Sequence, residues 1–201
     1  MKVATITLPR LMMVGGGAHK EIVVSLNKLG AEKPLIVSDQ YMAKSNTLTK
    51  ITDILDGSQI KWGSFIDTVP DPTTEVVAQG AAILRNGDFD SLIALGGGSP
   101  IDTAKAMAVL ATHGGNMREY KVPNQVDENN YPIIAIPTTA GTGSEVTRFT
   151  VITDTETDEK MLCMGLAYVP QAALIDYTLT LSMPCLLYTS DASDEGLGVD
   201  L

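Results

Sequence analysis

Ser91-Leu92-Ile93-Ala94-Leu95-Gly96-Gly97-Gly98-Ser99-Pro100-Ile101-Asp102-Thr103-Ala104-Lys105 decides how this chain folds. Five residues, mostly apolar, read as a buried strand, three glycines as a turn, and the residues from Thr103 to Leu110 as a helix. Gly96 to Gly98 lack Cβ atoms, so the backbone there can turn tightly and come close to an anion. The free N–H groups and the dipole of the following helix point at that anion, and Ser99 adds a hydroxyl donor. A glycine turn alone can be no more than a tight turn.

A second segment strengthens the reading. Ile136-Pro137-Thr138-Thr139-Ala140-Gly141-Thr142-Gly143-Ser144-Glu145-Val146-Thr147 follows the apolar run Pro132 to Ile136. Two polar, glycine-rich strand ends in one alternating pattern place a cleft at the carboxyl edge of a parallel sheet.

Working outward, strands are expected at Val3–Thr7, Pro34–Ser38, Ile60–Phe65, Ser91–Leu95, Pro132–Ile136 and Ala173–Ile175. Helical patterns lie between them. Ile22, Leu26 and Leu29 share one face, and Thr73 or Thr74 can N-cap a helix carrying Val76, Val77, Ile83 and Leu84. Phe149–Thr153 and Lys160–Met164 flank the charged turn Asp154–Glu159 and read as a hairpin. The fold class is α/β, a Rossmann-like, mainly parallel sheet with flanking helices.

Bulk properties narrow the partners. With 201 residues the chain can bury a full core, and 44% hydrophobic against 19% charged residues is a globular balance. Net charge is −10 and no basic cluster exists, which argues against nucleic acid. No apolar run approaches the roughly 18 residues that cross a membrane. Met1 to Ile6 alternates like a strand, without the apolar core of a signal peptide. Two cysteines, Cys163 and Cys185, are too few for a disulfide framework and suit a reducing cytoplasm. His19 and His113 are the only histidines. They are read as surface or structural residues, Trp62 as core, and Met12, Met13, Met161 and Met164 as gap-filling core.

The motifs Gly-Gly-Gly-Ser-Pro-Ile-Asp-Thr-Ala-Lys and Pro-Thr-Thr-Ala-Gly-Thr-Gly-Ser-Glu-Val-Thr, in this order, resemble the iron-containing (group III) alcohol dehydrogenases. The likeness runs from about Leu8 to Pro184. It includes Val14-Gly15-Gly16-Gly17-Ala18, Val37-Ser38-Asp39 and Val69-Pro70-Asp71-Pro72-Thr73. The resemblance implies a cytoplasmic NAD-dependent enzyme, a homodimer at full length. It would pass a hydride between an alcohol or aldehyde and NAD, with Fe2+ or Zn2+ as Lewis acid. It implies residues 1–184 as the dinucleotide-binding domain, and an all-helical second domain holding the metal through one Asp and three His. A related glycerol dehydrogenase or maleylacetate reductase, or a non-catalytic nucleotide-binding module, are the alternatives.

The resemblance also implies a set of cofactor contacts. Asp39 would accept hydrogen bonds from the adenosine ribose and repel a 2′-phosphate; its other reading is a helix N-cap. Gly97, Gly98 and Ser99 match the diphosphate contacts. Asp102, expected in the first helical turn, either serves the nicotinamide side or complements the helix dipole. Thr138, Thr139 and Thr142 match hydroxyl contacts to the phosphates and nicotinamide ribose, or cap turns. Thr147, Val151 and Lys160 line the nicotinamide end, unless Lys160 is a solvated hairpin lysine. Leu179 and Met183 touch the cofactor from the domain junction. Asp71 falls on the adenine side, where many relatives carry Asn.

Beyond Pro184 the pattern changes. Residues 185–201, Cys185-Leu186-Leu187-Tyr188-Thr189-Ser190-Asp191-Ala192-Ser193-Asp194-Glu195 and on to Leu201, resemble a translated sequencing adaptor and are expected to be a non-native tail. Asp194 falls near the family's first metal ligand only by count, and Gly198 stands where a His should follow. No metal ligand therefore carries over. The fragment on its own is expected to be inactive.

Overall fold

In the computed structural model, residues 6–181 are described. Six strands, β1 (Leu11–Val14), β2 (Pro34–Asp39), β3 (Gly63–Thr68), β4 (Ser91–Gly96), β5 (Ile133–Pro137) and β8 (Ala172–Ile175), form one sheet in the order β1-β8-β5-β4-β2-β3. Every pairing in it is parallel. β6 (Phe149–Asp154) and β7 (Glu159–Met164) form a separate antiparallel hairpin.

The inner strands β2, β4, β5 and β8 are buried on both faces because each is apolar at consecutive positions, as parallel strands covered by helices are. Alternate residues serve opposite faces. Leu35, Val37, Leu92, Ala94, Ile133 and Ala135 enter one core with α4 (Thr74–Asn86), α5 (Gly98–His113) and the inner hairpin residues Ile152, Met161 and Cys163. Ile36, Ile93, Leu95, Ile134 and Ile136 enter the other, against α1 (Ile22–Leu29) and α3 (Asn46–Gly57). α5 is buried almost all round, since the sheet lies on one side and the hairpin on the other. A four-residue helix, α2 (Gln40–Ala43), follows β2 directly.

From β2 the chain moves outward through α2 and α3 to β3 at the sheet edge. It then returns past β2 through α4 to β4, and goes on through α5 to β5. The strand order therefore reverses between β2 and β4. At such a switch point the connections leave to opposite faces and open a crevice beyond the carboxyl ends of the strands.

Four expectations need correction. A strand lies at Leu11–Val14, whereas residues 6 and 7 of the expected Val3–Thr7 strand are outside any strand and Ile6 is exposed. The rest of that segment lies outside the described residues. Met12 is therefore half exposed on an edge strand rather than core. The strand expected at Ile60–Phe65 runs instead from Gly63 to Thr68: Trp62 precedes it, packs on the second core and donates from Nε1 to Asp56 at 2.8 Å. The glycine-turn helix starts at Gly98, so Asp102 lies beyond its first turn. The boundary at residue 184 and the tail 185–201 lie outside the described residues.

Candidate functional site

The strands of the sheet all end on one edge. Asp39 closes β2, Gly96 closes β4, and Pro137 leads from β5 into Thr138. Gly96 has φ 144°, open only to glycine, and a Cβ there would lie 2.6 Å from Pro100 Cγ. Gly97 is the N-cap of the 16-residue helix α5 and supplies no side-chain cap, so the helix's first N–H groups remain available.

The second loop faces this turn. Thr138 N–H donates to the Gly96 carbonyl at 2.9 Å. A Cβ on Gly97 would stand 3.2 Å from Thr139 Oγ1, and one on Gly98 3.2 Å from Thr142 Cγ2. Glycine at both positions keeps open the gap between turn and hydroxyl loop. Gly97 itself has φ −78°, ψ −159°, which any residue adopts, so its requirement is one of space and not of backbone angle. An uncapped helix N-terminus, bare backbone and converging threonines fit a phosphate-bearing group.

Asp39 sits across the switch point. Its Oδ1 accepts from Met42 N–H at 2.7 Å and N-caps α2, so the structural role suggested by sequence is realised. Oδ2 makes no hydrogen bond among the described residues.

Asp102, Thr147 and Val151 come together where the hairpin lies on α5. Asp102 Oδ2 accepts from Val151 N–H at 3.1 Å. Asp102 Oδ1 is buried without a hydrogen-bond partner among the described residues, 4.0 Å from Lys105 Nζ. Burial raises the Asp102 carboxyl, while Lys105 and the Val151 N–H pull it back. Lys105, which sequence reading passed over, is fully buried, and burial pushes its ammonium down to about 8. The signal was a single charge within Ala104-Lys105-Ala106-Met107-Ala108, an otherwise apolar stretch of the helix.

Lys160 and Asp71, which the sequence reading set at opposite ends of the cofactor, touch: Lys160 Nζ donates to Asp71 Oδ1 at 3.0 Å, both side chains exposed. Leu179 is buried in the second core rather than presented at a junction. Met183 lies outside the described residues.

A third cluster closes the sheet's other flank. Buried Asp176 accepts from Gly17 N–H at 2.8 Å, from Thr178 Oγ1 at 2.7 Å, and from His19. Burial opposes its charge, but His19, Thr178 and the backbone donors together hold the carboxyl at about 2. His19 is thereby structural, as expected, and His113 is exposed at the end of α5. Among the described residues no three His, Cys, Asp or Glu side chains converge as a metal site. A depression of about 570 Å³ lined by Lys33, Asp56, Gln59, Ile60, Lys61 and Trp62 lies beside the starts of β2 and β3, at the opposite edge of the sheet from the glycine turn.

A doubly wound parallel sheet with a glycine turn at its switch point defines a nucleotide-binding α/β domain. Comparison with known proteins takes this further. The family model for iron-containing alcohol dehydrogenase matches residues 9–177, and the chain belongs to that family. It is 36% identical over 182 residues to lactaldehyde reductase of Escherichia coli K12, covering 90% of this chain and 48% of that protein. It is 33% identical over 187 residues to the NAD-dependent methanol dehydrogenase of Bacillus methanolicus, covering 93% and 49% respectively. Among solved structures, a 1,3-propanediol oxidoreductase superposes with TM-score 0.91 at 30% identity, over 96% of this chain and 50% of that one. Sulfoacetaldehyde reductase from Bifidobacterium kashiwanohense in complex with NAD+ gives 0.88 at 29%, over 96% and 51%. The chain spans about half the length of the relatives it matches. No helix among the described residues is long and apolar enough to cross a membrane.

Proposed function

We propose that the chain is the NAD-binding half of an iron-type alcohol dehydrogenase interconverting an alcohol and its aldehyde or ketone. The observation carrying this reading is the glycine turn: Gly96–Gly98 opens an uncapped helix and faces Thr139 and Thr142 across a gap that a Cβ would narrow. The named activities of the relatives and the NAD+ complex of one of them support it.

When bound, NAD supplies the hydride acceptor, and the protein orients it. The N–H groups at Gly97, Gly98 and Ser99 would hold the diphosphate, with Thr138, Thr139 and Thr142 offering hydroxyls from the facing loop. Asp39 Oδ2 is free to take the adenosine ribose while Oδ1 keeps the α2 cap. Thr147 and Val151, fixed against α5, would wall the nicotinamide end and exclude water there. The Asp71–Lys160 pair would border the same groove. Leu179 would act from within the core, by supporting the crevice floor, and Met183 from the chain beyond it.

Fe2+ or Zn2+ belongs, in this reading, to the helical half of the full-length protein. The described residues do not fit a metal, so no step is assigned to one here. A cytoplasmic location, consistent with a buried free thiol at Cys163, a homodimer at full length, and no nucleic-acid or membrane partner are parts of the same proposal. Titration of NADH fluorescence with the unmodified chain and with Gly97→Val tests the reading. Saturable binding lost in a folded variant supports it; equal binding by both places the cofactor elsewhere.

A further inference from the structure

β6 has a free edge. Among the described residues it forms a ladder with β7 on one side, and on the other side, bridged by Thr73 at Thr153 alone, Phe149, Val151 and Thr153 turn their peptide groups away from the hairpin. Unpaired strand edges need partners when buried. Thr153 N–H donates to the Pro72 carbonyl at 2.8 Å. Val151 N–H donates to Asp102 Oδ2 at 3.1 Å, and the Phe149 carbonyl accepts from Lys105 Nζ at 2.8 Å. At Val151 and Phe149, side chains of α5 thus do on this edge what a neighbouring strand would do.

Lys105 is fully committed to this task. Its Nζ donates to the Thr147 carbonyl at 3.0 Å, to Thr147 Oγ1 at 3.3 Å and to the Phe149 carbonyl at 2.8 Å. An ammonium has three N–H groups and no acceptor, so none remains for a ligand. Burying it is costly, and a methionine would fill similar space without that cost. What methionine cannot do is hold two carbonyls and a hydroxyl at fixed distance from the helix that opens at the glycine turn.

We infer that Lys105 is a positioning residue: without touching the cofactor, it sets the distance between the phosphate-holding glycine turn and the nicotinamide-end wall formed by Thr147 and Val151. The inference rests on the NAD reading above. It separates Lys105 from Gly97 and Gly98, which lie two helical turns away and would meet the diphosphate directly.

The test compares NADH with ADP-ribose, which keeps the diphosphate and both riboses but lacks nicotinamide. The 201-residue chain and Lys105→Met are titrated with each by calorimetry, and hydrogen exchange is followed over residues 147–153. The expected result is a tenfold or greater loss of NADH affinity, a change below twofold for ADP-ribose, and faster exchange confined to the hairpin. Equal losses for both ligands, or no loss for either, overturn the positioning role while leaving the NAD reading intact. Binding of neither ligand by the unmodified chain overturns the NAD reading and the positioning role with it. Should Lys105→Met fail to fold, Lys105→Gln, which cannot reach all three oxygens of Thr147 and Phe149 from its shorter stem, is titrated with both ligands in its place. Loss of NADH affinity with ADP-ribose affinity kept supports the positioning role; equal losses, or none, overturn it.

Discussion

Replacing Asp39 by Asn separates the two jobs its carboxylate can do. One is the cap on α2, a single hydrogen bond of 2.7 Å from Met42 N–H to Oδ1. Asn caps a helix about as well as Asp, whereas Ala loses the bond at a cost of about 1 kcal/mol. In a domain of this size that is a fall of roughly 2–4 °C in melting temperature for Asp39→Ala, and essentially none for Asp39→Asn. The other job is charge. A 2′-phosphate about 4 Å from the carboxylate meets a repulsion of roughly 4 kcal/mol per charge pair at an effective dielectric constant near 20. The position is half-buried and salt screens it further, so about 1–2 kcal/mol is expected to survive, close to tenfold in affinity. Fluorescence titration with NADH and NADPH, beside thermal unfolding without ligand, reads both quantities. Asp39→Asn should narrow the preference for NADH about tenfold at unchanged melting temperature, and Asp39→Ala should narrow it equally while melting earlier. An unchanged NADH to NADPH ratio in a stably folded Asp39→Asn chain would show that the carboxylate only caps α2.

Gly97→Val should abolish NADH binding while circular dichroism and melting stay near those of the unmodified chain, because its backbone angles suit valine and only the space toward Thr139 is lost. For Lys105, the folded-state value of about 8 lies below the ordinary lysine value, so between pH 8 and roughly 10.4 the unfolded chain binds a proton the folded chain lacks, and stability rises with pH. Urea unfolding of the unmodified chain relative to Lys105→Met should therefore gain up to roughly 3 kcal/mol across that window; a constant difference would mean the lysine is not titrating there. The 201-residue chain should take up no stoichiometric iron or zinc and should not oxidise ethanol, propanediols or lactaldehyde with NAD, since its described residues converge no three metal ligands. Metal analysis and a turnover assay check this, and metal-dependent turnover would require ligands outside residues 6–181, Asp194 first among them.

Sequence made the central strands legible because their apolar runs end in glycine or proline: Ser91–Leu95 and Pro132–Ile136 fall within one residue of β4 and β5. The hairpin was equally plain, since Phe149–Asp154 and Glu159–Met164 alternate buried and exposed residues around a charged turn. β1 escaped because Leu-Met-Met-Val is short and half exposed. β3 was displaced because Trp62 looks like a strand residue but covers the second core from a loop, while polar Ser64, Asp67 and Thr68 form the strand itself. At the site, local motifs found the glycine turn and the threonines. They could not reveal that Asp102 and Lys105 reach 44 to 49 residues along the chain to hold β6, or that Lys160 meets Asp71. Those partnerships come from how the hairpin lies on α5, which no window of sequence contains.

The strand order has a consequence for how the molecule can come into being. β8, last of the sheet strands to be synthesised, sits inside the sheet between β1 and β5. Until it arrives, β1 has no neighbour at all and β5 offers a bare hydrogen-bonding edge to any passing chain. The glycine loop after β1 waits equally long, for Gly17 N–H finds its acceptor on Asp176, 159 residues away. A ribosome therefore releases four paired strands, β5-β4-β2-β3, before it releases all six, and the closing step joins the first and last strands of the sheet. Any shortened version ending before Ala172 would be caught at that stage, with its glycine turn already formed and its sheet still open.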